Sequence, residues 1–163
     1  MVAAVRPAVD CGRFPVKRVV GDVLDIEADL LVDGHDLLAA CVLYRHEDEA
    51  AWSEQPLAPL GNDRWHAPVL LPTLGRWQYT VEAWVDEWAS LLWRCQRKLD
   101  AKKDVALELA AAVGPLHAAI ERIGAEDPDS RIIAEAVALA GEAAFDARER
   151  AIPVLDPALS EAM

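Results

Sequence analysis

The residues able to do chemistry are few, and their spacing matches no reactive arrangement. The four histidines are His35, His46, His66 and His117, and the three cysteines are Cys11, Cys41 and Cys95. Zinc sites need Cys or His in short, paired spacings, and no such pair occurs. His35 lies in the acidic turn Asp33-Gly34-His35-Asp36, where a divalent ion could be held, but it reads more simply as a solvated turn residue. No glycine-rich phosphate loop follows a strand, and no nucleophile elbow is present. Carboxylates are plentiful, at 28 Asp and Glu. Glycoside chemistry needs two of them held across a pocket, and nothing in the sequence marks such a pair. The expected catalytic, cofactor-binding and metal-binding residues are therefore none.

Aromatic residues are the remaining candidates. Trp84, Trp88 and Trp93 could form a platform on which sugar rings stack, because an exposed aromatic face suits a pyranose. The competing expectation is that they pack between a sheet and helices, or against a neighbouring domain, since each tryptophan buries a large area. Trp52 and Trp65 read as core or edge packing. The stretch from Leu74 to Trp88 is the most informative of the chain. After a Gly-Arg turn, Trp77, Tyr79, Val81 and Ala83 alternate with Gln78, Thr80, Glu82 and Trp84. Period two in aromatic and β-branched residues is the mark of a half-buried strand.

The elements that must position these residues change character near residue 100. All 6 tryptophans lie between Trp52 and Trp93, and an Ala-rich stretch without Trp or Tyr follows Asp100. The first part carries strand signals and the second helix signals, which argues against a βαβ fold. Strands are predicted over Val16–Val20, Val23–Val32, Leu38–Arg45, Arg64–Leu71, the aromatic stretch and Leu91–Leu99. Short strands with regular turns predict an antiparallel sandwich. Beyond them, Val105, Leu109, Val113, Leu116, Ile120 and Ile123 share a helix face, with Asp104 as its cap and Gly124 as its end. Gly114-Pro115 predicts a kink or break. Asp127-Pro128 opens a second helix with an apolar face of Ile133, Ala136, Val137, Ala140, Ala144 and Ala147. Asp156-Pro157 starts a third, and the chain ends a turn or so later, which reads as truncation. The expected organisation is thus a β-sandwich over 1–100 and a truncated helical insert over 101–163.

Composition bounds the partners. The chain has 163 residues, 53% of them apolar, with 16 basic and 28 acidic residues and a net charge of −12. Acidic excess argues against nucleic acid, whose phosphates need Lys and Arg, and against anionic membranes. No signal-peptide core and no membrane-length apolar run is visible. Three widely spaced cysteines do not read as a disulfide framework, so a reducing cytoplasmic compartment is expected.

Four segments, in order, carry a resemblance. They are Pro7-Ala8-Val9-Asp10-Cys11-Gly12-Arg13-Phe14-Pro15-Val16-Lys17 with Val20-Gly21-Asp22; Asp33-Gly34-His35-Asp36; Asn62-Asp63-Arg64-Trp65; and Gly75 through Trp84. Together with the Ala-rich helical region they resemble the amino-terminal part of the alpha-1,4-glucan:maltose-1-phosphate maltosyltransferase family, within the alpha-amylase superfamily. The resemblance implies an α+β fold, with an Ig-like antiparallel β-sandwich followed by an incomplete α-helical bundle, ahead of a (β/α)8 catalytic barrel. It implies transfer of maltosyl units from maltose 1-phosphate to α-1,4-glucans in glycogen or α-glucan biosynthesis, by a retaining reaction through two carboxyl groups of the barrel. None of these groups maps onto this chain. The resemblance also implies a homodimer contact, support of the barrel, and no cofactor. The family's returning strand after the helical insert is not found. The alternative expectation is a free-standing carbohydrate-binding or protein-interaction module.

Overall fold

The computed structural model describes residues 1–142 and 146–163. They form two compact units, Met1–Asp86 and Glu87–Met163. The architecture is α+β, with two antiparallel sheets of a β-sandwich-like core followed by helices.

The first unit holds β1 (Val2–Arg6), β2 (Val23–Leu30), β3 (Leu38–His46), β4 (Ser53–Pro56), β5 (Ala58–Gly61), β6 (Arg64–Leu70) and β7 (Trp77–Val85). One sheet has the order β1-β2-β6-β5 and the other β4-β3-β7. All pairings are antiparallel, with Ile26 opposite Ala67 in the first sheet and Val42 opposite Val81 in the second. The period-two pattern of β2 works as the sequence predicts: Leu24, Ile26, Ala28 and Leu30 are buried, while Asp25 and Glu27 face outward. They meet Ala40 and Val42 of β3 and Ala67 and Val69 of β6 in a single apolar cluster, with Tyr79 and Val81 of β7 packed against it. The core is therefore shared by both sheets.

Two strand expectations fail. Val16–Val20 is not a strand; the N–H of Val19 donates to the Asp22 carboxylate at 3.0 Å and that of Gly21 to the Leu71 carbonyl at 2.8 Å, which makes a turn of this segment. Its place at the sheet edge is taken by β1, which pairs with β2. Leu91–Leu99 is not a strand either. It belongs to the helix α1 (Glu87–Asp100), in which Leu91 and Cys95 are buried. Leu91, Cys95 and Leu99 recur every fourth residue, so the helical period wins over apolar density. The polar, acidic stretch after His46 ends in β4, which pairs with β3.

The second unit continues with α2 (Ala106–Ile123), α3 (Pro128–Gly141), α4 (Ala147–Val154) and α5 (Pro157–Ala162). Local signals set their ends. Asp127, Asp146 and Asp156 each accept a hydrogen bond from a backbone N–H of the first turn, and Pro128 and Pro157 follow the first and last of these caps. Asp104, expected as the cap of α2, accepts from the N–H of Ala106 at 3.0 Å, but the capping position is one residue later, at Val105, and carries no side-chain bond; Gly124, at φ 92°, ends α2 by donating to the Ile120 carbonyl. Of the kink or break expected at Gly114-Pro115, the break does not occur: α2 runs through it. Pro115 is on the exposed side, where the carbonyl deprived of an N–H partner can be solvated. Ile133, Ala136 and Ala140 are buried, and Val137 and Ala147 pack beside them, although Ala147 lies on α4 rather than α3. Ala144 lies outside the described residues. The buried cluster draws on all five described helices of the unit, so the Ala-rich face is already covered from within it.

Candidate functional site

The three tryptophans are divided between the units. Trp84 is on β7, opposite Ala39 of β3, and is 48% exposed. Trp88 and Trp93 are on α1. Trp88 is half-buried against the helical core, and its indole N–H is buried with no acceptor among the described residues. Trp93 is partly exposed, with the Arg97 guanidinium 5.7 Å from its ring centre. They share no single strand or helix face. Trp65 and Trp77 pack on the sandwich core, and Trp52 is exposed beneath the Arg45 guanidinium, 4.5 Å away.

Two of the four histidines are held in place by partners. His66 meets the Asp25 carboxylate at 2.9 Å across β2 and β6. His46 is buried at the end of β3. Its Nε2 lies 3.2 Å from the Leu74 carbonyl, and its Nδ1 lies 3.3 Å from the Asp48 N–H. The Leu74 carbonyl accepts from an Nε2–H, while Nδ1 lies between the Asp48 N–H and the Asp48 carboxylate, 3.4 Å away. The ring stands edge-on to Trp77 at 5.1 Å. This explains the Gly-Arg-Trp sequence. A Cβ on Gly75 would sit 2.0 Å from His46 Nε2, and Gly75 has φ 147°. The Arg76 N–H donates to the Glu47 carboxylate at 2.8 Å, and the Trp77 indole N–H donates to the Thr73 carbonyl at 3.2 Å. The turn before β7 is thereby clamped to the end of β3. His35 is an exposed turn residue and His117 an exposed helix residue. No group of three metal-binding side chains occurs among the described residues.

Two thiols are buried and none is paired. Cys41 faces outward on β3 beneath neighbouring side chains. Burial, a hydrogen bond to Glu54 and the charges of Glu54 and Glu82 push its pKa up to about 11. Burial also raises that of Cys95, with Glu108 adding to the effect and Lys98 opposing it. Glu108 itself is buried, held by Lys98 at 2.7 Å. Cys11 is exposed.

One concave feature escaped the sequence reading. The segment after β1 and the turn before β7 line a groove of about 1370 Å³. Phe14, Trp52, Trp77 and Tyr79 supply its aromatic surface, and Arg13, Arg18 and Arg76 its charge. The Tyr79 hydroxyl donates to the Pro7 carbonyl and so ties the segment to the sandwich. Burial raises the Tyr79 pKa, opposed by the nearby Arg18 charge. The sequence signal was available in part: Arg13-Phe14 and Arg76-Trp77 both join a cation to a ring.

Two antiparallel sheets around a shared core, followed by a helical unit, define an α+β protein. Residues 1–163 match the family described as Alpha-1,4-glucan:maltose-1-phosphate maltosyltransferase, domain N/S. The chain belongs to that family. It is similar to the alpha-1,4-glucan:maltose-1-phosphate maltosyltransferase of Chlorobaculum tepidum, 39% identical over 163 residues, covering 100% of this chain and 23% of the relative. The Myxococcus xanthus protein of the same name is 39% identical over 141 residues, 83% of this chain and 21% of its own length. That of Burkholderia pseudomallei is 36% identical over 180 aligned residues, 95% of this chain and 16% of its own length. The chain thus spans less than a quarter of the length of these relatives.

Proposed function

We propose that this chain is the non-catalytic amino-terminal region of an enzyme that transfers maltosyl units from maltose 1-phosphate to α-1,4-glucans. The observation that carries the reading is the match of all 163 residues to the N/S domain of that family. The sheet orders support an Ig-like assignment: β1-β2-β6-β5 corresponds to the four-stranded sheet of that fold, and β3 and β7 to the first two strands of its partner sheet. In this reading the chain supports the catalytic barrel and contributes to a cytoplasmic homodimer. The two carboxyl groups of the retaining reaction belong to the barrel and not to this sequence. No described helix is long and apolar enough to cross a membrane.

A dimer contact would need surface other than the buried Ala136 and Ala140. Ile132 and Leu139, exposed two turns apart on α3, supply it. Sedimentation equilibrium at tens of micromolar, near an ordinary dimer affinity of about 1 µM, is expected to show a dimer that Ile132→Glu with Leu139→Glu dissociates. A monomer before substitution would remove the dimer from the reading. The catalytic part is tested by phosphate release from maltose 1-phosphate with an α-glucan acceptor. The pure chain is expected to release none, and turnover that disappears on replacing one of its carboxylates would overturn the proposal.

A further inference from the structure

The outer strands of the two sheets are not protected alike. β1 is broken by a register shift between Ala3 and Arg6, with Ala4 at φ 48°. β4 has 4 residues and ends in Pro56. β5 also has 4, includes Pro59, and shifts register between Pro59 and Gly61. Short length, bulges and proline are the means by which sheets keep their edges from pairing. β7 has none of them. It pairs with β3 without interruption over all 9 residues, contains no proline or glycine, and carries Glu82 as its one charge. Apart from that ladder, no backbone hydrogen bond reaches β7 among the described residues. An antiparallel strand turns alternate N–H and C=O groups away from its neighbour, so β7 presents a row of unused donors and acceptors.

The sandwich core is open along the same edge. Val42 and Ala40 of β3 are buried, yet Val81 and Ala83 opposite them are only half-buried, as are Trp77 and Tyr79. A further strand beside β7 would cover these side chains and use the free backbone groups together.

β7 is complementary to itself. Two identical strands related by a two-fold axis pair antiparallel, and the axis fixes which residues meet. With the axis at Val81, the midpoint of Trp77–Val85, the whole strand overlaps. Val81 then faces Val81, Tyr79 faces Ala83, and Trp77 faces Val85, all on the apolar side. On the polar side Thr80 faces Glu82, and Gln78 faces Trp84. One residue beyond each end, Arg76 faces Asp86. An axis at Glu82 would oppose two carboxylates, and an axis between residues would set the apolar side against the polar one.

We propose that β7 pairs antiparallel with β7 of a second copy about an axis at Val81, which joins the two β4-β3-β7 sheets into one. This contact is separate from Ile132 and Leu139 on α3 and does not rest on the family reading. It is about 30 Å long and one strand wide, at the small end of interfaces that form transiently. The dissociation constant is therefore expected in the hundreds of micromolar.

The test uses the 163-residue chain carrying Ile132→Glu and Leu139→Glu, so that the α3 contact is scored apart. Sedimentation equilibrium from about 20 µM to about 1 mM, at about 0.15 M salt to screen the net charge, is expected to show a monomer giving way to a dimer. Thr80→Glu sets carboxylates opposite each other twice and is expected to weaken the dimer by about tenfold; Thr80→Lys sets Lys opposite Glu82 twice and is expected to tighten it by about fivefold. Lysine on an edge ordinarily blocks pairing, and a misfolded variant would not bind better, so a gain is specific to this register. Ala118→Lys, the same charge change on the exposed side of α2, is expected to leave the dimer unchanged. Amide exchange in Trp77–Val85 should slow as concentration rises, while exchange in β1 and β5 does not. A monomer throughout the range overturns the proposal. So does a dimer that Thr80→Lys fails to tighten, or one that leaves amide exchange in β7 unchanged.

Discussion

The sandwich unit and the helical unit are specified in different ways. In the sandwich, the pairs that matter are remote: Ile26 faces Ala67, and Val42 faces Val81. In the helical unit three of the five described helices announce themselves locally, through Asp127, Asp146 and Asp156, two of them with a proline at the first turn. Side-chain size differs as well. Ala112, Ala119, Ala136, Ala140, Ala151 and Ala162 are all buried in the helical core, where small residues let helices approach closely. The sandwich core depends more on Leu24, Ile26, Leu30 and Val42. A unit built from remote pairs is sensitive to what is removed from its core, and one built from small contacts to what is added.

The largest expected effects test that contrast directly. Ile26→Ala, at a fully buried position, is expected to destabilise the sandwich by about 3 kcal/mol, as transfer and cavity terms add. Ala136→Leu is expected to cost the helical unit about 2 kcal/mol through overpacking. Urea unfolding followed by tryptophan fluorescence and by far-UV dichroism should show each variant shifting mainly the transition of its own unit. If both variants shift one common transition equally, the two regions do not behave as separate cooperative units.

Gly75→Ala probes the clamp between the end of β3 and the turn before β7. Its Cβ would collide with the His46 ring, at a cost of about 2 kcal/mol. His46→Ala opens the space, so the double variant is expected to be more stable than the sum of the single effects. Additive losses would show that the backbone conformation of Gly75, rather than the collision, sets the requirement.

Cap removal is a smaller effect and belongs to the helical unit. Asp127→Ala and Asp146→Ala should each cost about 1 kcal/mol, with Asp146 the larger because its carboxylate accepts from two backbone N–H groups, those of Arg148 and Glu149, whereas that of Asp127 accepts from Asp129 alone. Asp127→Asn, which retains an acceptor, is expected to restore most of the loss in the same urea titration.

The smallest effect separates thiols by place. At pH 8 Cys11 is expected to react quickly with a disulfide reagent, and Cys41 and Cys95 only slowly, since both are buried and the thiolate is the reactive form. The Cys41 pKa is raised from 9.0 to about 11 in the folded protein. Folding therefore favours the protonated thiol. The associated stability is fully present below about pH 9 and is lost as pH rises toward about 11. Cys41→Ser should flatten that part of the stability profile, and an unchanged slope would count against Cys41 as its source.

The sequence by itself determined the order of strands before helices, the half-buried β7, the alternating β2, the caps at Asp127 and Asp156, and the end of α2 at Gly124. Each is a local matter of period or of one side chain meeting its own backbone. Leu91–Leu99 was legible too, because Leu91, Cys95 and Leu99 keep a helical spacing that apolar density concealed. Only the tertiary structure decided that Val2–Arg6 completes a sheet edge, that Gly75 yields its space to His46, and that Ala136 and Ala140 are spent inside their own unit. The groove belongs to the same class. Arg18 and Arg76 are far apart in the chain and line one groove, beside which the Tyr79 hydroxyl fastens Pro7 to β7. Contacts between distant segments leave no period in the sequence, so their chemistry appears only once the chain has closed on itself.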